Sequence, residues 1–336
     1  MMNISIIGSG SFGTALSIAL NDNGHDVLIY GRNESVIHEI NTTHTNEHYL
    51  KSITLNSNIK ATTDLDKALN NSEILLLSVP SKALRSVCES IDQFATKNNK
   101  QFKIIHVIKG IEKETLMTMS KVIQDTMQHQ NIQGITVLSG PSHAEEVALR
   151  KPTTVTVASK NKDEAEFFQD LFINQNFRVY TNDDVIGVEL GGSLKNIIAL
   201  AAGILDGYDM GDNAKAALIT RGLAEISRLG KSLGANPLTF LGLSGVGDLI
   251  VTCTSTHSRN WRFGYGLSKG KTKDEVLGEL GMAVEGLNTI EAAYKLSQTH
   301  QIDMPITSTL YKFIFEQLDK ETCFDLLMNR KRTTEE

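Results

Sequence analysis

A lysine stands inside one of the most apolar stretches of the chain, in the segment GGSLKNII at residues 191–198. Burying an ammonium group is costly, so a lysine in such a place is unusual. If Lys195 is buried, its pKa is lowered and it can act as a general acid or base near neutral pH. The alternative is a lysine whose stem packs in a core helix while its ammonium reaches solvent. Helical periodicity leaves both interpretations of Lys195 open.

Two further segments carry groups suited to binding an anion. The segment GVGD at residues 245–248 places Asp248 at a predicted helix start, and Ser258 is a good helix N-cap before Arg259 and Asn260. A helix N-terminus together with an arginine forms a phosphate site. Simple capping by Ser258 and Asp248 is the alternative, and capping is compatible with ligand binding.

The segment GSGSFG at residues 8–13 has the G-x-G-x-x-G spacing of a dinucleotide-binding turn. It lies between an apolar strand-like run at residues 4–7 and an apolar helical stretch. In such a turn Gly8 permits the tight bend, Gly10 lets the backbone approach a pyrophosphate, and Gly13 lets the helix pack closely on the strand. The placement between strand and helix favours dinucleotide binding over a plain glycine-rich turn.

An arginine stands where a carboxylate is expected, after the second predicted strand at residues 26–30. A fold that holds NAD usually carries Asp or Glu there, bound to the ribose 2′-hydroxyl. Here the strand is followed by Gly31, Arg32 and Asn33, and the first carboxylate is Glu34. Because a guanidinium pairs well with a 2′-phosphate, we expect NADP(H) as the preferred cofactor, with NAD(H) also usable. The alternative for Arg32 is an ordinary exposed side chain.

Strands and helices alternate through the first half of the chain and predict a doubly wound, mainly parallel α/β sheet. The predicted strands lie at residues 4–7, 26–30, 59–62, 73–80, 103–108, 135–138, 153–158 and 177–181, and residues 114–128 are predicted to be helical. Ligands of open α/β sheets lie beyond the carboxyl ends of the strands. Lys109 follows one such end, and Gly140 and Ser142 follow another.

Beyond residue 181 only helices are predicted. The segments at residues 183–206 and 214–233 are long and apolar over more than one face, which is typical of core helices. The sequence therefore predicts a dinucleotide-binding domain at residues 1–182 and an all-helical domain at residues 183–336. The cleft between two such domains is the expected place of an active site.

Composition argues against several classes of protein. The chain has 336 residues, a net charge of −6 and no basic block, so nucleic acid is not an expected partner. The spacing of Cys88, Cys253 and Cys323 predicts neither a disulfide framework nor a metal site, and suits the cytoplasm. We expect no signal peptide, and the longest uncharged apolar stretch, residues 196–205, is short of the roughly 20 residues of a membrane span. A homodimer is the expected assembly on base rates.

Taken together, these segments resemble the bacterial NAD(P)-dependent glycerol-3-phosphate dehydrogenase family. The matching stretches are residues 8–15, 107–111, 139–147, 189–197, 245–249, 258–260 and 284–286, in the family's order over nearly the whole chain. The resemblance implies an N-terminal Rossmann domain and an all-α C-terminal domain like that of 6-phosphogluconate dehydrogenase. It also implies reversible hydride transfer between NAD(P)H and dihydroxyacetone phosphate, giving sn-glycerol 3-phosphate for glycerophospholipid synthesis.

The resemblance implies roles for individual residues. Lys195 matches the family's catalytic acid/base. Beside the three glycines of the N-terminal turn, matches to cofactor contacts are Ser11, Phe12, Arg32, Lys109, Ala144, Arg259, Ala283 and Glu285. Matches to substrate contacts are Lys109, Gly140, Ser142, Lys195, Asp248, Ser258, Arg259 and Asn260. Two positions depart from the family's pattern, since His143 stands where an aromatic residue is frequent and Ala283 replaces a larger aliphatic residue.

Two other functions fit parts of this pattern. One is another β-hydroxyacid dehydrogenase of the 6-phosphogluconate type, which also joins a dinucleotide domain to a helical domain and uses a lysine. The other is a non-catalytic dinucleotide-binding sensor, which needs no lysine in the second domain. Turnover of dihydroxyacetone phosphate but not of 6-phosphogluconate excludes the other dehydrogenase. Any turnover excludes the non-catalytic sensor.

Overall fold

The computed structural model describes residues 1–332 and residue 334. Its N-terminal part is built on one eight-stranded sheet. The strands are β1 (Asn3–Ile7), β2 (Asp26–Tyr30), β3 (Lys60–Thr62), β4 (Ile74–Leu77), β5 (Phe102–His106), β6 (Ile132–Ser139), β7 (Thr153–Ala158) and β8 (Phe177–Asn182). The order in the sheet is β3-β2-β1-β4-β5-β6-β7-β8, so the chain winds outward on both sides of β1.

Neighbouring strands of this sheet are parallel except for β6 and β7, which pair antiparallel through Val137–Ser139 and Thr156–Ala158. Strand β4, with the sequence ILLL, is buried at every position because helices cover both faces of the sheet. The doubly wound, mainly parallel sheet predicted from the apolar runs is therefore confirmed.

Helices connect the strands. They are α1 (Ser11–Asp22), α2 (Glu34–Thr42), α3 (Leu65–Asn71), α4 (Leu84–Asn98), α5 (Met119–Thr126), α6 (Ala144–Ala148) and α7 (Lys162–Phe172), with short 3₁₀ helices at Ser81–Ala83 and His129–Asn131. Several begin at a side-chain cap of the expected kind. Asn33 accepts from two backbone N–H groups of α2, and Asp64 accepts from the backbone of Lys67 in α3.

One predicted helix, at residues 114–128, is wrong in its first part. Helix α5 begins only at Met119. The preceding residues form a loop, in which Ile111 and Thr118 pair as a β-bridge and Leu116 adopts a left-handed φ of 60°. A leucine with positive φ interrupts the right-handed helix that the periodicity favours.

The described residues after β8 contain no further strand. Their helices are α8 (Val185–Gly207), α9 (Gly211–Ser232), α10 (Asp248–Thr254), α11 (Arg259–Ser268), α12 (Lys273–Leu280), α13 (Glu285–His300), α14 (Pro305–Phe315) and α15 (Lys320–Met328). A 3₁₀ helix at Pro237–Leu241 and a π-helical turn at Leu243–Gly247 lead into α10. The predicted all-helical second half is confirmed.

Helix α8 is the centre of this helical part. It has 23 residues and is longer than the uncharged apolar stretch that it contains, at residues 196–205. By length and composition this helix could cross a membrane. However, 89% of its most apolar window is buried inside the protein, as in the core helix of a soluble protein. The side chain of Asp184 caps its first turn by accepting from the backbone of Gly187.

Candidate active site

Lys195 is buried in the middle of α8, with 5% of its surface exposed. Its Nζ donates to Oδ1 of Asp248 in a short ion pair and to Oγ1 of Thr252 at 2.6 Å. The ammonium therefore does not reach solvent, and the alternative of a lysine extending from the core to the surface is wrong. Burial lowers the pKa of Lys195 to about 7, although the Asp248 carboxylate opposes this and the Lys109 ammonium adds to it.

Asp248 is shared between two lysines. It is the first residue of α10, as the glycine-rich sequence before it predicts, and only 1% of its surface is exposed. Its Oδ2 accepts from Nζ of Lys109 at 2.7 Å, while Oδ1 faces Lys195. Burial raises the pKa of Asp248, but the two ammonium groups outweigh it and hold that pKa below its ordinary value. When all three groups are charged, the cluster keeps one net positive charge.

Thr252 completes the surroundings of the Lys195 ammonium, and the sequence reasoning did not find it. Its Oγ1 donates to the main-chain oxygen of Asp248 at 2.5 Å and so presents a lone pair to Lys195. The signal was available, because Thr252 lies four residues after Asp248 in a predicted helix and such residues share one face.

The predicted residues at the ends of β5 and β6 meet at this cluster. Lys109 follows β5, and its Nζ also lies 3.3 Å from the carbonyl oxygen of Gly140, beyond β6. Oγ of Ser142 donates to the same carbonyl at 2.9 Å. Gly140 has a φ of 142°, a conformation that side chains with a Cβ rarely adopt. The carboxyl edge of the sheet therefore brings Lys109, Gly140 and Ser142 to the pair of Lys195 and Asp248.

The N-terminus of α11 lies on the helical side of the site. Ser258 is its N-cap and accepts from the backbone of Trp261 at 3.2 Å, so the predicted cap is confirmed. Arg259 is half-buried and donates from Nη1 to the carbonyl of Ala283 at 3.1 Å. Burial lowers the pKa of Arg259 from its usual value, although Glu285 opposes this.

Asn260, a predicted substrate contact, also holds three helices together. Its Nδ2 donates to Oδ1 of Asn196 at 2.9 Å, and its Oδ1 accepts from the backbone N–H of Gly286 at 2.9 Å. Asn196 is the neighbour of Lys195 on α8. One amide hydrogen of Asn260 is left for a ligand, since a carboxamide has two.

Glu285 is half-buried between the sheet and the helical part. A glutamate before a glycine is usually solvated, so this burial is unusual. Its carboxylate accepts from both the backbone N–H of Ser81, at 3.1 Å, and the Oγ of Ser81, at 2.5 Å. A Cβ on Gly110, next to Lys109, would lie 2.6 Å from Cβ of Ser81. This tight packing joins the helical part to the loops after β4 and β5, and the sequence reasoning did not find Ser81.

The glycine-rich turn has one side that is open in the described part of the chain. Gly8 has a φ of 124°, and a Cβ there would collide with the carbonyl of Ser78. A Cβ on Gly13 would lie 2.5 Å from the carbonyl oxygen of Gly8. By contrast, among the described residues no atom beyond the chain neighbours of Gly10 lies within 4 Å of a Cβ placed there, and none of their side chains caps the first turn of α1, where Ser11 and Phe12 stand. Open space beside free helix N–H groups fits a bound pyrophosphate.

Arg32 is exposed directly after β2. A Cβ on its neighbour Gly31 would meet the side chain of Ser9, so this corner packs against the glycine-rich turn. In the described part of the chain no hydrogen bond or ion pair of the Arg32 guanidinium is found. Of the remaining predicted cofactor residues, Ala144 is buried at the start of α6, and Ala283 is exposed, with its carbonyl bound to Arg259.

Comparison with known proteins agrees with these observations over the whole chain. A family model described as NAD-dependent glycerol-3-phosphate dehydrogenase N-terminus matches residues 3–165, and one described as its C-terminus matches residues 184–325. A protein of Macrococcus caseolyticus named glycerol-3-phosphate dehydrogenase (NAD(P)+) is 54% identical and matches over 100% of both chains. The protein of that name from Staphylococcus epidermidis is 53% identical, again over 100% of both.

A solved structure supports the same assignment. The crystal structure of glycerol-3-phosphate dehydrogenase from Coxiella burnetii superposes with a TM-score of 0.92 at 37% identity, over 98% of this chain and 99% of that one. Both halves of the fold are thus found in relatives with one name. This chain belongs to the NAD-dependent glycerol-3-phosphate dehydrogenase family.

Proposed function

We propose that this protein is an NAD(P)-dependent sn-glycerol-3-phosphate dehydrogenase. It reduces dihydroxyacetone phosphate to sn-glycerol 3-phosphate for glycerophospholipid synthesis, and it catalyses the reverse oxidation. The observation that carries this proposal is the buried cluster in which Lys195 and Lys109 share the carboxylate of Asp248. The names of relatives that are 53–54% identical over the full chain support the same reaction.

Lys195 is the proton donor for ketone reduction. When bound, the nicotinamide cofactor supplies the hydride that the ketone carbon accepts. As the ketone oxygen gains negative charge, Lys195 donates a hydrogen bond and then its proton to that oxygen. With its pKa near 7, both the acid and the base form of Lys195 are populated near neutral pH, which suits a reversible reaction. Asp248 and Thr252 hold the ammonium in one orientation.

Lys109 and the N-terminus of α11 bind the rest of the substrate. Lys109 adds a second positive charge beside the reacting oxygen or the phosphate. Arg259, Ser258 and the free amide hydrogen of Asn260 hold the phosphate at the helix N-terminus. Because this binding energy comes from a part of the substrate that does not react, it serves to align the ketone for transfer.

The glycine-rich turn and the residues around it hold the cofactor. Gly10 and the first turn of α1 would hold the pyrophosphate, and Arg32 would pair with a 2′-phosphate, which would favour NADP(H) over NAD(H). The other cofactor contacts are Ser11, Phe12, Lys109, Ala144, Arg259, Ala283 and Glu285. In support, the Arg32 guanidinium is exposed beside the turn.

The two parts of the fold are two domains, at residues 1–182 and 183–336. In support, β8 ends at Asn182 and Asp184 caps the next helix.

The protein acts in the cytoplasm, since its three cysteines are all free thiols. It assembles as a homodimer, the commonest form of soluble oligomers.

Two absorbance assays test the reaction. One follows oxidation of NADPH with dihydroxyacetone phosphate, and the other follows reduction of NADP+ with 6-phosphogluconate. We expect turnover with dihydroxyacetone phosphate alone. Turnover with only the other substrate identifies a different β-hydroxyacid dehydrogenase. Tight NADPH binding without turnover of either identifies a sensor.

A further inference from the structure

We propose that Glu189, His106 and Ser120 form a positioning cluster that fixes the distance between the two active-site lysines. None of the three is among the residues assigned above to substrate or cofactor. The inference rests on the proposed function, because it assigns the cluster a part in holding Lys195 and Lys109 for that reaction.

The cluster is a buried polar contact between the sheet and the helical part. Glu189 lies on α8 with 4% of its surface exposed, and His106, the last residue of β5, has none exposed. Oε1 of Glu189 accepts from the backbone N–H of Ser120, near the start of α5, at 2.7 Å. Nε2 of His106 lies 3.3 Å from that oxygen and 2.9 Å from Oγ of Ser120.

Each side of this contact leads along the backbone to one lysine. His106 ends β5, and Lys109 follows it in the next turn of chain. Glu189 and Lys195 are six residues apart on α8, about 9 Å along a rigid helix. The cluster therefore joins α8 to the end of β5, six residues from Lys195 on one side and three residues from Lys109 on the other.

The distance between Lys195 and Lys109 is important because both lysines bind Asp248. Its two oxygens each bind one ammonium, so both lysines have to lie within hydrogen-bonding reach of one buried carboxylate. A shift of α8 against β5 lengthens one of these ion pairs. Apolar packing at the position of Glu189 allows such a shift more easily than hydrogen bonds do, because hydrogen bonds weaken steeply when the distance or angle between donor and acceptor changes.

A purely structural role is the competing explanation, because the Glu189 carboxylate also caps α5. The chain offers a matched control in Glu225 on α9. Glu225 is 1% exposed, and its carboxylate caps α14 by accepting from the backbone N–H groups of Ile306 at 2.5 Å and Thr307 at 3.1 Å. Glu225 thus makes the same kind of buried contact, but between two helices that carry neither lysine.

The test compares Glu189→Ala, Glu225→Ala and the conservative variant Glu189→Gln in the full-length enzyme. The measured quantities are kcat and KM for dihydroxyacetone phosphate, the Kd of NADPH, and the pH at which kcat for reduction falls. The titration of the Lys195 ammonium is also followed by NMR without substrate. If Glu189→Ala does not fold, His106→Asn takes its place, because it withdraws Nε2 from both partners.

In Glu189→Ala we expect kcat to fall by about tenfold or more, because misaligned catalytic groups lose rate steeply. The Kd of NADPH should stay within about threefold, since the glycine-rich turn is untouched. The Lys195 titration and the fall of kcat should both move to lower pH, because an ammonium displaced from Asp248 has a lower pKa. Glu189→Gln, which keeps an oxygen for the Ser120 N–H, should recover most of the rate, and Glu225→Ala should leave both pH curves in place.

An unmoved Lys195 titration in Glu189→Ala, or an equal movement in Glu225→Ala, overturns the positioning role. A wild-type enzyme that does not reduce dihydroxyacetone phosphate overturns the proposed function instead. In that case the NMR titration still tests the cluster, because it needs no substrate.

Discussion

Lys195 and Asp248 are 53 residues apart in the chain, yet their side chains form an ion pair that is almost wholly buried. The same carboxylate also binds Lys109, which comes from the other half of the fold. When all three groups are charged, the single carboxylate between two ammonium groups leaves one net positive charge in a largely buried site. Such a site stabilises an oxygen that gains negative charge, because the donors are already oriented before the reaction begins.

Asp248→Asn should shift the pH dependence of ketone reduction. Burial brings the pKa of Lys195 to about 7, and the Asp248 carboxylate opposes a further fall. Reduction needs the ammonium form, so in the wild type kcat/KM is highest below about pH 7 and falls as the pH rises through it. Without the carboxylate the pKa of Lys195 is lower, and the fall begins at lower pH. At pH 7 we expect a loss of about fivefold for the first pKa unit lost, since a fall from about 7 to about 6 lowers the acid fraction from about one half to about one tenth.

The control for this profile is Asp303→Asn, which removes an exposed carboxylate paired with Arg330. It should leave the pH profile unchanged. A profile of Asp248→Asn that coincides with the wild type shows that Asp248 does not set the protonation of Lys195.

Gly10→Ala should separate cofactor binding from folding. Within the described residues, a Cβ at this position meets no atom within 4 Å beyond its chain neighbours, so the unfolding midpoint should not change. NADPH should bind more weakly, because the methyl group fills the space where the pyrophosphate approaches the backbone.

The matched variant is Gly8→Ala, where a φ of 124° and the Ser78 carbonyl oppose a side chain. It should destabilise the fold by about 1–3 kcal/mol. NADPH titration measures the affinity of both variants, and thermal unfolding measures their stability. Unchanged NADPH affinity in Gly10→Ala contradicts the assignment of Gly10 to the pyrophosphate site.

Arg32→Ala should remove the preference for NADPH. The guanidinium is exposed and is not used by the fold within the described residues, so the variant should fold like the wild type. Loss of a charged hydrogen bond to the 2′-phosphate should cost about 1.5–3 kcal/mol in NADPH binding. The measurement is the ratio of kcat/KM for NADPH to that for NADH. If this ratio matches the wild type, another residue reads the 2′-phosphate.

Arg259→Lys should raise the KM for dihydroxyacetone phosphate. The substitution keeps the positive charge but loses the planar guanidinium fork, which donates to the carbonyl of Ala283 and which we propose also binds the substrate phosphate. NADPH should also bind more weakly, because Arg259 is assigned to both ligands. Steady-state kinetics with each ligand varied in turn measure both effects. An unchanged KM for dihydroxyacetone phosphate excludes Arg259 from the phosphate site.

Local patterns in the sequence were enough for much of the fold and for part of the site. The glycine-rich turn, the cap at Ser258 and the helix start at Asp248 each depend on residues close together in the chain. The order of apolar strands was likewise sufficient for the doubly wound sheet. These features were predictable because short-range sterics and capping determine them.

The rest depends on contacts between distant segments. Ser81 and Glu285 are 204 residues apart, and nothing near either residue in the sequence indicates their hydrogen bonds. Periodicity could not decide the burial of Lys195, because α8 is apolar on all sides and a solvent-facing side is not marked. The polar contact between Glu189 and His106 could not be predicted either. Glu189 stands in the apolar helix α8 and His106 in the apolar strand β5, and nothing near either residue in the sequence indicates the other.

The most direct test of the proposed chemistry is the rate of NADPH oxidation by Lys195→Met with saturating dihydroxyacetone phosphate. Methionine keeps an apolar stem of similar length and removes the ammonium, while Asp248 retains Lys109 as a partner, so the protein should fold and bind NADPH. General acid catalysis contributes about 10²–10⁴-fold, and the lost charge adds to this, so kcat should fall by at least about a hundredfold. A folded variant that binds both ligands and keeps kcat within a few-fold of the wild type contradicts the assignment of Lys195, and Lys109 then becomes the candidate proton donor.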